Sequence, residues 1–175
     1  MTCIAAVTDG HRVAMAADSL AVDNSGQTIE VAKLLSFDGG VLLGVAGRSA
    51  SVPLLRRRLE PGAPVDDEPD EWAQDVAWKA TEMLTEAHIT DPDDANEFHG
   101  VLLLACGGAV WEIQTGVANR IRRSYHAIGS GDQVALGALW AIDGDRPLGD
   151  QVRLAVEAAC EHMADVGGEV VVLAT

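Results

Sequence analysis

The stretches that decide the reading of this chain are Thr2-Cys3-Ile4-Ala5-Ala6-Val7, Val13-Ala14-Met15-Ala16-Ala17-Asp18-Ser19 and a lysine, Lys33, set between Ile29-Glu30-Val31-Ala32 and Leu34-Leu35-Ser36-Phe37. The first two are β-prone apolar runs joined by Thr8-Asp9-Gly10-His11, whose Asp-Gly pair favours a tight turn, so they predict a β-hairpin. Asp18-Ser19 ends it and Asn24-Ser25-Gly26 marks another turn. Residues Ile29 to Phe37 and Val41 to Val45 predict two further strands across Asp38-Gly39-Gly40. Only Lys33 and Lys79 are lysines. A lysine with apolar neighbours carries its charge only with a partner close by.

Outward from this core, Ser49 to Leu59 predicts a helix and Glu60 to Pro69, rich in proline and acid, a loop. Asp70 and Glu71 suit a helix start. From there Trp72, Val76, Ala80, Met83, Leu84 and Ala87 recur at helical spacing to about Ile89, a stripe read as core packing. Thr90 to Asn96 is an acidic loop. Its neighbouring carboxylates Asp91, Asp93, Asp94 and Glu97 lack the glycine and terminal glutamate of a calcium loop, and no metal is expected there. Phe98 to Ala105, Ala109 to Gln114 and Ala118 to Ala127 predict a three-stranded meander. Helices follow from Asp132 to about Ile142 and from Asp150 to Met163, then a last strand from Glu169 to Ala174. Strands and helices come in blocks, which favours an α+β fold: two antiparallel sheets packed face to face with helices outside each, a four-layer αββα sandwich.

Composition sets limits. The 175 residues fit one domain, 1–175, and the 48% hydrophobic content is enough for a packed core. A net charge of −15 opposes a nucleic-acid partner. No apolar run approaches the roughly 20 residues a membrane-crossing helix needs, and no secretory leader is evident. The expectation is a soluble, cytoplasmic protein without membrane contact. Cys3, Cys106 and Cys160 are odd in number and widely spaced, so they read as small core residues rather than a disulfide framework or a zinc site. Arg56 to Arg58 and Arg120 to Arg123 are local basic patches, read as a solvated helix face and a strand edge, with a subunit contact as the alternative.

A hydroxyl needs a base beside it to act as a nucleophile. A threonine at a chain's amino terminus can use its own α-amine, whose ordinary pKa of about 7.7–8.0 suits the task. Thr2 follows Met1, and a small second residue permits removal of the methionine. Thr2 to Asp18 spans sixteen residues, Asp18 to Lys33 fifteen, and Lys33 to the Gly44-Val45-Ala46-Gly47 turn eleven. Downstream, Ala127-Ile128-Gly129-Ser130-Gly131 precedes Ala135-Leu136-Gly137-Ala138-Leu139. Jointly these motifs resemble the N-terminal-nucleophile hydrolases of the proteasome β-subunit family, and the peptidase subunit of the bacterial two-component ATP-dependent protease. The likeness spans nearly the whole chain.

The resemblance implies a threonine-type endopeptidase subunit that needs no cofactor. Thr2 would supply the nucleophile and its amine the base. Lys33 would favour deprotonation, with Asp18 pairing it. Gly44 would offer its amide to the oxyanion. Ser130 would bond near the terminal amine, or cap the following helix, or both. Ala21, Leu35, Leu42, Ala46 and Ala50 would line a substrate pocket that takes a hydrophobic side chain before the scissile bond. Relatives carry an Asp and a Ser where this chain has Met163 and Val166; Asp165 is close but out of register. The resemblance further implies peptide or unfolded-protein substrates, homo-oligomeric rings, stacked or otherwise, and a possible ATPase regulator. Two other readings stay open: an amidohydrolase of the same fold acting on a small molecule, and a catalytically inactive structural subunit.

Overall fold

A computed structural model describes residues 1–22, 25–64, 68–89, 100–142 and 144–175. The turn residue Asn24, Phe98 at the start of the expected meander, and the acidic residues Asp91, Asp93, Asp94 and Glu97 lie outside the described residues.

The N-terminal hairpin is the centre of one sheet. Strands β1 (Ile4–Thr8) and β2 (Val13–Ala17) pair antiparallel, with Ala5 opposite Ala16. Asp9 fixes the turn: its carboxylate accepts the backbone N–H groups of His11 and Arg12 and the Arg12 guanidinium. These bonds, that from the Arg12 amide first, hold the Asp9 carboxyl well below its ordinary range. Strand β10 (Tyr125–Ile128) flanks β1 and strand β11 (Val171–Ala174) flanks β2.

The second sheet runs β5-β6-β7-β8-β9, all antiparallel. Its strands are β5 (Leu34–Phe37), β6 (Val41–Gly47), β7 (Gly100–Cys106), β8 (Ala109–Gln114) and β9 (Val117–Arg120). A small third sheet pairs β3 (Leu20–Val22) with β4 (Thr28–Glu30).

Three apolar clusters show how these pieces meet. Ile4, Ala6, Val13 and Met15 of the first sheet pack on Leu34, Leu42, Leu103 and Val110 of the second. The other face of the five-stranded sheet, with Leu43, Leu104 and Trp111, is covered by α1 (Ser51–Arg58) and α2 (Pro69–Glu86) through Leu55, Val76, Ala80 and Leu84. The other face of the four-stranded sheet is covered by α3 (Asp132–Ala141) and α4 (Leu148–His162). There alanine meets alanine: Ala5, Ala14 and Ala16 against Ala135, Ala155 and Ala159. Helix α2 starts with Pro69 in its first turn and with Asp70 and Glu71, a helix-opening pattern. The side chains of His126 of β10 and Glu112 of β8 are hydrogen-bonded and bridge the two main sheets.

Two long strand expectations are corrected. Residues 29–37 do not form one strand: β4 ends at Glu30, β5 begins at Leu34, and they belong to different sheets. Lys33 therefore sits in an irregular link, where backbone bonds from Val31 N–H to the Ser19 carbonyl and from Val45 N–H to the Lys33 carbonyl replace the ladder. Likewise 118–127 splits into β9 and β10, so Arg122 and Arg123 lie on a crossover between sheets rather than on a strand edge.

Gly44 pairs with Leu34 and Leu103 in mid-sheet. A Cβ there would lie 2.8 Å from Ile4 Cγ2 and 3.1 Å from Met15 Sδ, because the two sheets close on each other at this point. Gly44→Ala is expected to cost about 1–3 kcal/mol by overpacking. In thermal unfolding that is a fall in Tm of about 2–4 °C per kcal/mol; an unchanged Tm would show that the interface has slack.

Candidate active site

Thr2 lies two residues before Ile4, the first paired position of β1, and is buried, 6% exposed. The chain is held there from both sides. The Cys3 N–H donates to Asp18 Oδ1 at 2.8 Å, and the Asp18 N–H donates to the Cys3 carbonyl at 3.2 Å. On the other side the Gly131 N–H donates to the Thr2 carbonyl at 3.1 Å. Gly129, at φ +94°, passes so close that a Cβ there would overlap the Thr2 carbonyl oxygen, so only glycine fits.

Lys33 comes to the same point from the link between β4 and β5. Its ammonium donates to the Leu20 carbonyl at 2.7 Å, to Asp18 Oδ1 at 2.8 Å and to the Met1 carbonyl at 2.9 Å. An ammonium has three donors, and all three are used. The pair is dry: the Lys33 side chain is 4% exposed and that of Asp18 0%. Asp18 keeps a further acceptor for the Gly167 N–H, which donates to Oδ2 at 3.2 Å. Charges this buried persist only when paired and fully hydrogen-bonded, as these are.

The Thr2 hydroxyl donates to the Met1 carbonyl at 2.6 Å, so that oxygen receives both the hydroxyl and the Lys33 ammonium. The Thr2 N–H donates to Ser130 Oγ at 3.2 Å. Ser130 does not cap α3, whose cap position is Gly131 with no side-chain bond. Cys3, next in the chain, does not compete as a nucleophile. Burial first, then the nearby Asp18 carboxylate, push its thiol up to about 12, so it stays protonated at neutral pH.

Two cavities adjoin Thr2. One, of about 650 Å³, is lined by Thr2, Lys33, Ala21, Val31, Val45, Ala50 and Val52 among others. The other, of about 410 Å³, includes Thr2, Ala46, Gly47, Val101, Gly129 and Ser130. Arg48 borders both.

Thr2, Asp18, Lys33 and Ser130 thus lie together, and Ala21, Ala46 and Ala50 border the cavities. Gly44 does not. It is sealed between the sheets against Ile4 and Met15, and Gly47, three residues on, is the glycine whose backbone borders both cavities. Leu35 and Leu42 are also corrected: Leu35 packs beneath α1 and α2 and Leu42 packs between the sheets. Period-2 alternation along β6 could have shown this, since 42, 44 and 46 share the face turned to Ile4 and Met15. Val31, Val45, Val52, Gly47 and Arg48 were missed. Met163 and Val166 pack against the α3 and α4 cluster. Asp165 makes no hydrogen bond or ion pair with Thr2, Lys33 or Ser130; the Gly167 amide instead supports Asp18.

Asp18→Asn would leave the Lys33 charge buried with no counter-charge, a loss of about 3–5 kcal/mol in urea unfolding. Asp18→Asn combined with Lys33→Met is expected to be less destabilised than Asp18→Asn alone. Equal stability of wild type and Asp18→Asn would mean that the pair is not buried as described.

No family model matches the sequence, and no curated protein matches it. Solved structures do. The Thiobacillus denitrificans bacterial proteasome homologue superposes with a TM-score of 0.80 at 21% identity, covering 99% of this chain and 97% of that one. The same protein in complex with epoxomicin gives 0.79 at 19% identity, with the same coverage. Eukaryotic HslV from Trypanosoma brucei gives 0.69 at 21% identity, covering 98% of each chain. Together with the two sheets and their covering helices, these likenesses show that the chain has a proteasome-like fold over essentially its whole length.

Proposed function

We propose that the protein is a threonine-type endopeptidase subunit of a proteasome-like oligomer, with Thr2 as nucleophile once Met1 is removed. One observation carries the reading: the Thr2 hydroxyl and the Lys33 ammonium converge on one oxygen, with Ser130 on the Thr2 nitrogen. While Met1 is attached, that nitrogen is an amide and cannot take a proton. Removal of Met1 converts it to an amine beside its own hydroxyl, which supplies the missing base.

In this reading Thr2 Oγ attacks the substrate carbonyl and its proton passes to the Thr2 amine. The Lys33 ammonium, fixed by Asp18, favours the developing oxyanion of Oγ through its charge. The Gly47 amide, in place of Gly44, is the donor suited to the tetrahedral oxyanion. Collapse breaks the peptide C–N bond, the amine returns its proton to the leaving nitrogen, and water then hydrolyses the acyl-Thr2 ester. Val31, Val45 and Val52 around the larger cavity support an apolar side chain before the scissile bond.

The finer architecture follows the same reading: one domain, 1–175, as an αββα four-layer sandwich that assembles into rings enclosing the Thr2 sites. Peptides or unfolded chains would be the substrates, with an ATPase as possible regulator, in the cytoplasm. No described helix is long and apolar enough to cross a membrane. Epoxomicin, bound by the T. denitrificans protein, is expected to inhibit this one too.

Thr2→Ala is expected to reduce peptide hydrolysis at least about a thousandfold with fold and assembly intact. Intact-mass measurement of the active protein is expected to show loss of one methionine. Activity that survives in Thr2→Ala, or full activity from protein that retains Met1, would overturn the mechanism.

A further inference from the structure

Around Thr2 the charge balance of the chain is reversed. The sequence has 27 Asp and Glu against 12 Lys and Arg. Yet among the described residues that line the two cavities at Thr2, and a third depression next to the larger one, none is acidic. Their cationic side chains are Lys33, Arg48 and, in the outer depression, Arg56.

Lys33 is already committed: two of its donors go to Asp18 and Leu20, and the third, on the Met1 carbonyl here, is the one the peptidase reading directs at Thr2. Arg48 and Arg56 differ. Both are solvent-exposed and neither forms an ion pair or side-chain hydrogen bond among the described residues. Arg48 directly follows Gly47 and borders both cavities, so its guanidinium is tethered within side-chain reach of whatever flanks a bond presented to Thr2.

A guanidinium presents paired N–H donors that match a carboxylate, and it stays charged at any working pH. In a protein of net charge −15 an acidic ligand meets long-range repulsion. An arginine without a partner, in a groove whose described lining holds no carboxylate, supplies a local well of opposite sign.

We propose that Arg48 is a specificity-determining residue that seats a substrate carboxylate, so that the site prefers peptides with a negative charge beside the apolar residue held in the larger cavity. The inference rests on the peptidase reading above. The carboxylate has two possible sources, an Asp or Glu side chain or a free peptide C-terminus, and the test separates them.

Internally quenched peptides sharing one apolar residue before the scissile bond would carry Asp or Asn at each neighbouring position in turn. A parallel set would end one residue past the bond as free acid or amide. The mature protein is expected to favour the charged member about three- to tenfold in kcat/KM, through KM, and less so at high salt. Preference confined to the free-acid set assigns the chain terminus; preference in the Asp set assigns a side chain. Arg48→Ala is expected to bring the ratio to about one, Arg48→Lys to keep part of it and Arg48→Glu to invert it. A wild-type ratio near one at every position, or a preference that survives Arg48→Ala, overturns the proposal. Binding of the same labelled peptides to Thr2→Ala, followed by fluorescence anisotropy, reads the Asp-to-Asn ratio without turnover. Charge preference there, together with no hydrolysis of any peptide by the wild-type protein, would fault the peptidase reading and leave Arg48 as the carboxylate reader; its absence would fault Arg48 alone.

Discussion

The site depends on one buried ion pair. Asp18 ends the second strand of the N-terminal hairpin, and Lys33 lies in the irregular link that carries the chain from the small sheet to the five-stranded one. Pairing them ties the first residues of the chain, the β3 carbonyl of Leu20 and the Gly167 amide to one point. A buried pair of this kind does little for net stability, since apolar residues of similar volume often serve as well. What it does here is set position: the ammonium cannot leave Thr2 without leaving its carboxylate in a dry interior. That constraint also explains why the strand expected through Lys33 is broken. A lysine held in a regular ladder would point to one sheet face or the other, not along the seam toward Asp18.

Small residues make the seam possible. Alanines on both faces of β1 and β2 let α3 and α4 approach from one side and the second sheet from the other. Gly44 permits close contact between the sheets, and Gly129 lets the loop before α3 lie against the Thr2 carbonyl. A residue so near the start of the chain needs such support, because a chain end has neighbours on one side only and otherwise frays. Here Ser130, Gly131 and Cys3 all bond to or beside Thr2, and the hydroxyl is placed by backbone rather than by a mobile side-chain shell.

Much of this was legible in the sequence. The hairpin showed in its two apolar runs and its Asp-Gly turn, and the helices in their spacing and openings. Thr2, Asp18, Lys33 and Ser130 were legible as a set only through the joint resemblance of their motifs to proteasome β-subunits, since each alone reads as an ordinary turn, cap or edge residue. The exclusion of Gly44 from the cavities was not read. Gly44 and Gly47 lie on the same strand, and it is the packing of Ile4 and Met15 against Gly44 that seals it from the cavities Gly47 borders. Leu35 and Leu42 were placed in the pocket without regard to strand alternation, which turns both into the core. The strand breaks at 31–33 and 121–124 lack proline or glycine, so local signals could not reveal them; the transfer of the chain between sheets decides there. Arg48 carries no signal of its own, since the reading proposed for it comes from the described residues that line the cavities around it, none of them acidic.

The most direct test of the account is covalent capture. A peptide bearing an electrophilic group in place of the scissile carbonyl would be incubated with the natural protein and the adduct located by tandem mass spectrometry. The account predicts a single adduct on a terminal peptide that begins with Thr2. An adduct on another residue, or on a chain that still begins with Met1, would contradict it.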